Sequence, residues 1–327
     1  MDRRLLISSI ACGALVVVFG ATAQVTPNPN RLRRIGWLQS GEPDSPNEQR
    51  KQIDALAEMG WIVGQNIRID RRYVRLVDLP AAAQDFVKGN VDLIVANGTP
   101  ATRAAKDATH TIPILMWSAG DPVAAGLVAS LARPGGNVTG SAGLYPERSV
   151  KRLSLIRELL PGIRRVGELG LSTNPYFSIL RKQLEAAYQT LGMEPIFIDT
   201  ARIEKVDDVL AEIVRRRAQA LNIPGDALSA NWVPQLFTAA VRVSLPTIVD
   251  SNDLLEAGAL LSYERDEREL LRTNAALFDK LLRGTKPADL PVQQPTKFNL
   301  AINLRTTKAI GITIPNAMLL RAESLIQ

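Results

Sequence analysis

Residues 121–140 read DPVAAGLVASLARPGGNVTG. Upstream of them, Ile112-Pro113-Ile114-Leu115-Met116-Trp117 is a short apolar run with the character of a buried strand. Asp121 suits an N-cap, and Pro122 suits the first helical position, where no N–H is needed. Leu127, Val128 and Leu131 then share a helical face. Arg133 falls in the last turn, where the helix dipole favours a cation. Pro134-Gly135-Gly136-Asn137 stops the helix and turns the chain. The stretch therefore predicts a strand, a helix over 121–133, and a crossing of the chain into a second lobe as Val138-Thr139-Gly140 leaves. A ligand is expected in the cleft between the lobes.

Outward from this stretch, strands and helices alternate. Strands are predicted at 35–38, 67–73, 91–96 and 112–117, with helices at 49–59, 79–88 and 101–108 between them. The run 91–96 is apolar except for Asp92, as befits a central parallel strand covered on both faces. The alternation points to a doubly wound parallel α/β sheet. A second βα series follows Gly140, with helices at 149–160, 174–191, 206–217 and 232–243. Its strands are expected at 166–171, 195–198, 220–223, 247–249 and 259–263. An amphipathic helix over 267–283 carries Leu270, Leu271, Asn274, Leu277, Phe278, Leu281 and Leu282 on one face. A connecting segment at 286–295, a strand through Phe298, Leu300 and Ile302, and a helix over 315–326 close the chain.

At 327 residues the chain has room for two domains, and its 46% hydrophobic and 22% charged content is that of a globular protein. The net charge is +6, but the basic residues are scattered instead of forming a stripe, so nucleic acid is not expected as a partner. Residues 1–24 carry Arg3-Arg4, an apolar core over 5–19 and Ala21-Thr22-Ala23, the pattern of a secretory signal peptide. A linker follows over 25–33. The single cysteine, Cys12, lies in that leader, and the single histidine is His110. Thiol nucleophiles, Ser-His-Asp triads and His- or Cys-ligated zinc are thereby largely excluded, and no metal or cofactor is expected. No phosphate loop, nucleophile elbow or dinucleotide fingerprint is present.

In open parallel sheets ligands gather beyond the carboxyl ends of the strands, where helix N-termini offer free N–H groups. The strand-to-helix turns hold Ser40 after the first strand, Gly98 and Thr99 after the third, and Trp117, Ser118 and Asp121 after the fourth. In the second series Ser172 and Asn174, then Asp226, then Asp250 occupy the equivalent places. Gly98 and Thr99 suit a carboxylate, Asp226 or Asp250 an ammonium, and Trp117 an apolar or aromatic group. Capping alone also accounts for Thr99, Asp121 and Asn174.

The stretches IGWLQSG, VDLIVANGTPAT, IPILMWSAGDPVAAGLVASLARPGGNVTG and KPADLPVQQPTKFNLAINLRTTKAIGITIP carry a family likeness from about Arg33 onward. Together they resemble the ABC-transporter substrate-binding protein family related to the tryptophan-binding TrpX proteins. The resemblance implies a type I periplasmic binding protein fold: two Rossmann-like lobes with parallel sheets, joined by a three-crossover hinge. It further implies that 34–140 with 252–284 forms lobe 1, and that 141–251 with 285–327 forms lobe 2. Carried over by place in the fold, the ligand-binding residues would be Ser40, Gly98, Thr99, Trp117, Ser118, Asn174, Asp226 and Asp250. The implied role is that of a monomeric periplasmic protein, not an enzyme, which closes on a small organic solute and delivers it to an ABC permease in the inner membrane. An amino acid is the leading solute, with aromatic carboxylates and other small anions as alternatives. A ligand sensor of the same fold, acting on a membrane receptor, is the alternative role.

Overall fold

The computed structural model describes residues 31–173, 177–203, 205–224 and 232–327. The expected leader, the linker up to residue 30, and two of the expected ligand contacts, Asn174 and Asp226, lie outside these residues.

The chain opens with β1 (Arg33–Ser40), α1 (Pro46–Glu58), β2 (Ile67–Val74), α2 (Leu79–Lys88), β3 (Leu93–Asn97), α3 (Gly98–Ala108), β4 (Ile114–Ala119) and β5 (Val138–Ala142). Five parallel strands stand in the order β2-β1-β3-β4-β5. Side chains alternate between the sheet's faces. Trp37, Leu93, Val95, Leu115 and Trp117 fall in one core cluster, with Leu56 of α1. Leu38, Ile94, Ala96, Ile114 and Met116 fall in another, with α2 and α3. Burial on both faces explains why these strands read as unbroken apolar runs.

Next come α4 (Tyr145–Leu159), β6 (Arg165–Gly170), α5 (Phe177–Thr190), β7 (Glu194–Asp199), α6 (Val206–Arg215), β8 (Ala220–Ile223), α7 (Val233–Arg242), β9 (Thr247–Val249), α8 (Asp253–Glu256) and β10 (Leu261–Arg265). They are followed by α9 (Glu267–Leu282), β11 (Phe298–Asn303), α10 (Leu304–Ile310), α11 (Asn316–Arg321) and β12 (Ser324–Ile326). The second sheet runs β12-β11-β10-β9-β8-β6-β7, parallel except for the β10–β11 pair. No helix among the described residues is long and apolar enough to cross a membrane.

The helix expected over 121–133 is absent, and the segment is a chain of turns. Asp121 does cap, its Oδ1 accepting the N–H groups of Val123 and Ala124 at 3.1 and 2.9 Å. One helical turn forms and then stops at Gly126, whose φ is +63°. The carbonyls a continuing helix would use are taken from the side. Arg103 of α3 donates to Ala125 O, and Lys106 donates to the carbonyls of Gly126 and Leu127 at 2.7 and 3.0 Å. Leu127 and Val128 still reach the core. Replacing Asp121 with alanine removes two N–H acceptors from an exposed turn. It is expected to cost about 1 kcal/mol of unfolding free energy by urea titration.

Nor does the chain leave for the second lobe at Val138-Thr139-Gly140. Those residues belong to β5, the edge strand of the first sheet. The passage follows at Gly143, and Leu144 (φ +48°) starts α4. The other expected boundaries shift as well. β10, expected in lobe 1 with 252–284, pairs in the second sheet, whereas Phe278 and Leu281 of α9 pack on the first. Leu290 and Val292, expected in lobe 2, are also in first-sheet clusters. The chain thus passes between the sheets at 143–144, at Asp266 and at 294–297. The last two passages are laced together: Asp266 N donates to Lys297 O (2.9 Å), and Glu269 accepts the N–H groups of Thr296 and Lys297. The helix predicted over 315–326 stops at Arg321. Glu323 N bonds Leu300 O, and β12 joins β11.

Candidate ligand-binding cleft

A cavity of about 930 Å³ lies between the two sheets at the carboxyl ends of their strands. The first lobe supplies Ser40 and Gly41 after β1, Asn97, Gly98 and Thr99 around the start of α3, and Trp117 of β4. The second supplies Arg148 and Arg152 of α4, Thr200 after β7, Asp250 and Ser251 after β9, and Glu264 and Arg265 of β10. Aromatic surface comes from Trp117 on one side and from Tyr145 and Trp232 on the other.

Of the residues expected from sequence, Ser40, Gly98, Thr99, Trp117 and Asp250 therefore meet in one cavity. Gly98 takes φ +81° where β3 turns into α3. The Thr99 hydroxyl is already engaged, accepting the N–H of Gly120 at 3.1 Å. Trp117 packs on Trp37 with ring centroids 4.9 Å apart, and the Arg71 guanidinium lies 4.2 Å over the Trp37 ring. Ser118 does not line the cavity. It is buried at φ +87°, and its Oγ accepts from Arg265 Nη1 at 2.7 Å, a bond joining the two sheets. The Asp250 carboxylate lies in an ion pair with Arg148. Arg148 Nη2 stands 3.9 Å from it and donates to the Asp250 carbonyl at 3.2 Å.

Two groups of lining residues escaped sequence reasoning. In the first lobe, Asp44 accepts from Gln39 Nε2 (2.8 Å) and Gln52 Nε2 (3.0 Å), while Asn97 Nδ2 donates to Gln39 (2.8 Å) and Arg71 Nη1 to Gln52 (2.8 Å). In the second lobe, Arg148 and Arg152 stand one turn apart on α4. Arg148, Arg152, Leu155 and Leu159 form a buried stripe on that helix. Arginines continuing an apolar stripe at i, i+4, i+7 and i+11 are the signal that could have found them. Arg152 Nε donates to Asn222 Oδ1 (2.8 Å), and Asn222 Nδ2 donates to both oxygens of Glu168 (2.9 and 2.8 Å). Tyr188 donates to Glu168 Oε2 at 2.8 Å.

Burial sets the protonation of this region. It pushes the Glu168 carboxyl up to about 7 against the bonds from Asn222 and Tyr188. It likewise raises Glu264 to about 7 and lowers Arg148 to about 10. No group of three or more His, Cys, Asp or Glu side chains among the described residues is arranged to hold a metal ion.

The model of the ABC transporter substrate binding protein family matches residues 38–326. The chain belongs to that family. A tyrosine-binding protein of Clostridioides difficile is 30% identical over 286 residues, which cover 86% of this chain and 82% of that protein. Two crystal structures match over 90% of this chain and all of their own. One is a conserved domain protein of Vibrio cholerae, 27% identical with a TM-score of 0.82. The other is an ABC domain from Streptococcus pneumonia in complex with L-Trp, 26% identical with a TM-score of 0.80. The fold is accordingly that of the type I periplasmic binding proteins, with two lobes and parallel sheets. The family and the relatives named are solute-binding proteins, not enzymes.

Proposed function

We propose that the protein captures a free amino acid with a large apolar or aromatic side chain in the inter-lobe cleft and hands it to an ABC importer. The carrying observation is the make-up of the cleft. Polar and charged groups from both lobes converge on a cavity that also presents Trp117, Tyr145 and Trp232. Polar groups recognise the zwitterion and fix its orientation, while aromatic walls cover the side chain. The names of the relatives support the same solute class. Capture would proceed by hinge closure at the three connecting passages, with the closed form read by a permease. The expected secretory leader supports a periplasmic location for this work. Ser40, Gly98, Thr99, Trp117 and Asp250 are the lining residues we assign to the solute, with Ser118 holding the lining residue Arg265.

A thermal-shift screen of the purified protein against amino acids, aromatic acids, sugars and purines tests the reading. A solute present at a hundred times its Kd stabilises by about 2.7 kcal/mol, a readily measured rise in melting temperature. Tyrosine, tryptophan or phenylalanine is expected to give the largest rise. A rise confined to sugars or purines would refute the amino-acid assignment.

A further inference from the structure

Arg148 and Arg152 both line the cleft, and they are 3% and 1% exposed. Each keeps one guanidinium nitrogen without a hydrogen-bond partner, Nε in Arg148 and Nη1 in Arg152. A guanidinium carries five donors and stays charged in proteins, so an unpaired buried one is costly. Among the described residues one carboxylate, Asp250, stands within ion-pair distance of the two guanidinium groups. Asp250 is 3.9 Å from Arg148, while Arg152 donates to Asn222 and Ser149, which are neutral. Glu168 lies beyond Asn222 and is driven toward its protonated form by burial. Arg265 adds a third cation whose field opposes the charge on Arg148.

We infer that the Arg148–Arg152 pair on α4 is the oxyanion subsite of the cleft and receives the carboxylate of the bound solute. This rests on the reading of the cleft as an amino-acid site. Paired guanidinium groups match the two oxygens of a carboxylate with charge-assisted bonds. The assignment reverses the orientation expected from sequence, which put the carboxylate at Gly98 and Thr99. Thr99 offers a carboxylate one neutral O–H donor, its oxygen accepting from Gly120 N, whereas α4 offers two cations, and the Asp250 carboxylate is faced by Arg148. The solute's ammonium instead points at the first-lobe wall around Asp44. A carboxylate has about four lone-pair sites; Gln39 and Gln52 use two of those on Asp44, and Arg71 Nη1 stands 4.0 Å away without a hydrogen bond to it.

Calorimetric titration of the wild type, Arg148→Gln, Arg152→Gln and Arg152→Lys with L-tyrosine and with tyramine, which lacks the carboxylate, tests the pair. Each Gln variant is expected to bind tyrosine about thirty-fold or more weakly, with tyramine affinity unchanged within about three-fold. Arg152→Lys is expected to recover part of the loss. Equal weakening for tyrosine and tyramine would reduce the pair to a structural role and overturn the inference, as would unchanged tyrosine affinity. If Arg152→Gln fails to fold, Arg148→Gln and Arg152→Lys carry the comparison. If the wild type binds no amino acid, the functional reading fails and millimolar sulfate decides the subsite separately. Sulfate protection of the wild type against heat, lost in Arg148→Gln, supports the pair; equal protection in both overturns it.

Discussion

Replacing Gly140 with alanine is expected to remove about 4 kcal/mol or more of stability, enough to leave most of the protein unfolded or insoluble. A Cβ at this position would stand 2.1 Å from the carbonyl oxygen of Met116 and 2.7 Å from its nitrogen. Both are backbone atoms of the neighbouring strand, so no side-chain rotation relieves the clash. The Gly140 φ of +146° is also one that side-chain-bearing residues rarely adopt. Nor can β5 retreat. The Thr139 hydroxyl donates to Leu290 O at 2.6 Å, and Gln293 N donates to Gly140 O at 2.8 Å, clamping the strand from its far side. Gly136→Ala, four residues earlier in the same stretch, is the control. A Cβ there meets nothing within 4 Å, so its stability should stay within about 0.5 kcal/mol of wild type. Urea unfolding of the two variants separates a steric demand at Gly140 from a general intolerance of the turn. Equal, small effects would show that β5 can move.

The same glycine shows why the fold was only partly legible. The βα alternation is written in runs such as 91–96 and 112–117, because strands covered on both faces must be apolar throughout. Gly140 instead looks like a chain break, since nothing local reveals the backbone it approaches. The 121–133 segment has good helical periodicity and a good cap. Its fate was decided by Arg103 and Lys106, which occupy the carbonyls a helix would need. Tertiary partners overrode a local preference, and periodicity carries no trace of them. β12 escaped notice for a simpler reason: three residues are too few to show alternation.

The cleft divides along similar lines. Ser40, Gly98, Thr99, Trp117 and Asp250 follow from one topological rule, that parallel strands deliver their turns to a common edge. Residues reaching the cavity from helices obey no such rule. Gln52 lies on α1, and Arg148 and Arg152 lie on α4. Ser118 satisfies the rule by position yet is turned inward, held by Arg265 from the other sheet. Place in the fold therefore finds the rim of the site, while charge on an otherwise apolar helical stripe finds its floor.

That floor has a pH dependence with a definite sign. Glu168 is fully buried, and its carboxyl is held near 7 in the folded protein, against about 4.5 when exposed. A raised folded pKa means that the native state holds the proton more tightly than the unfolded state does. Its contribution to stability is complete below about 4.5 and is lost progressively as pH rises through 7. The difference of about 2.5 pKa units corresponds to roughly 3 kcal/mol at most. Glu264, also raised to about 7, acts with the same sign. The urea midpoint of the wild type is therefore expected to fall between pH 5 and pH 8.5. Glu168→Gln keeps an acceptor for Asn222 or Tyr188 but cannot ionise, so it should lose much of that slope, leaving the share due to Glu264. If the variant keeps the full slope, Glu168 is ionised throughout and forms a charged couple with Arg152 across Asn222. The α4 arginines would then already hold a counter-charge, and their demand for a solute carboxylate would be weaker. The two titrations, of stability with pH and of tyrosine against tyramine, thus interrogate one charge balance from its two sides.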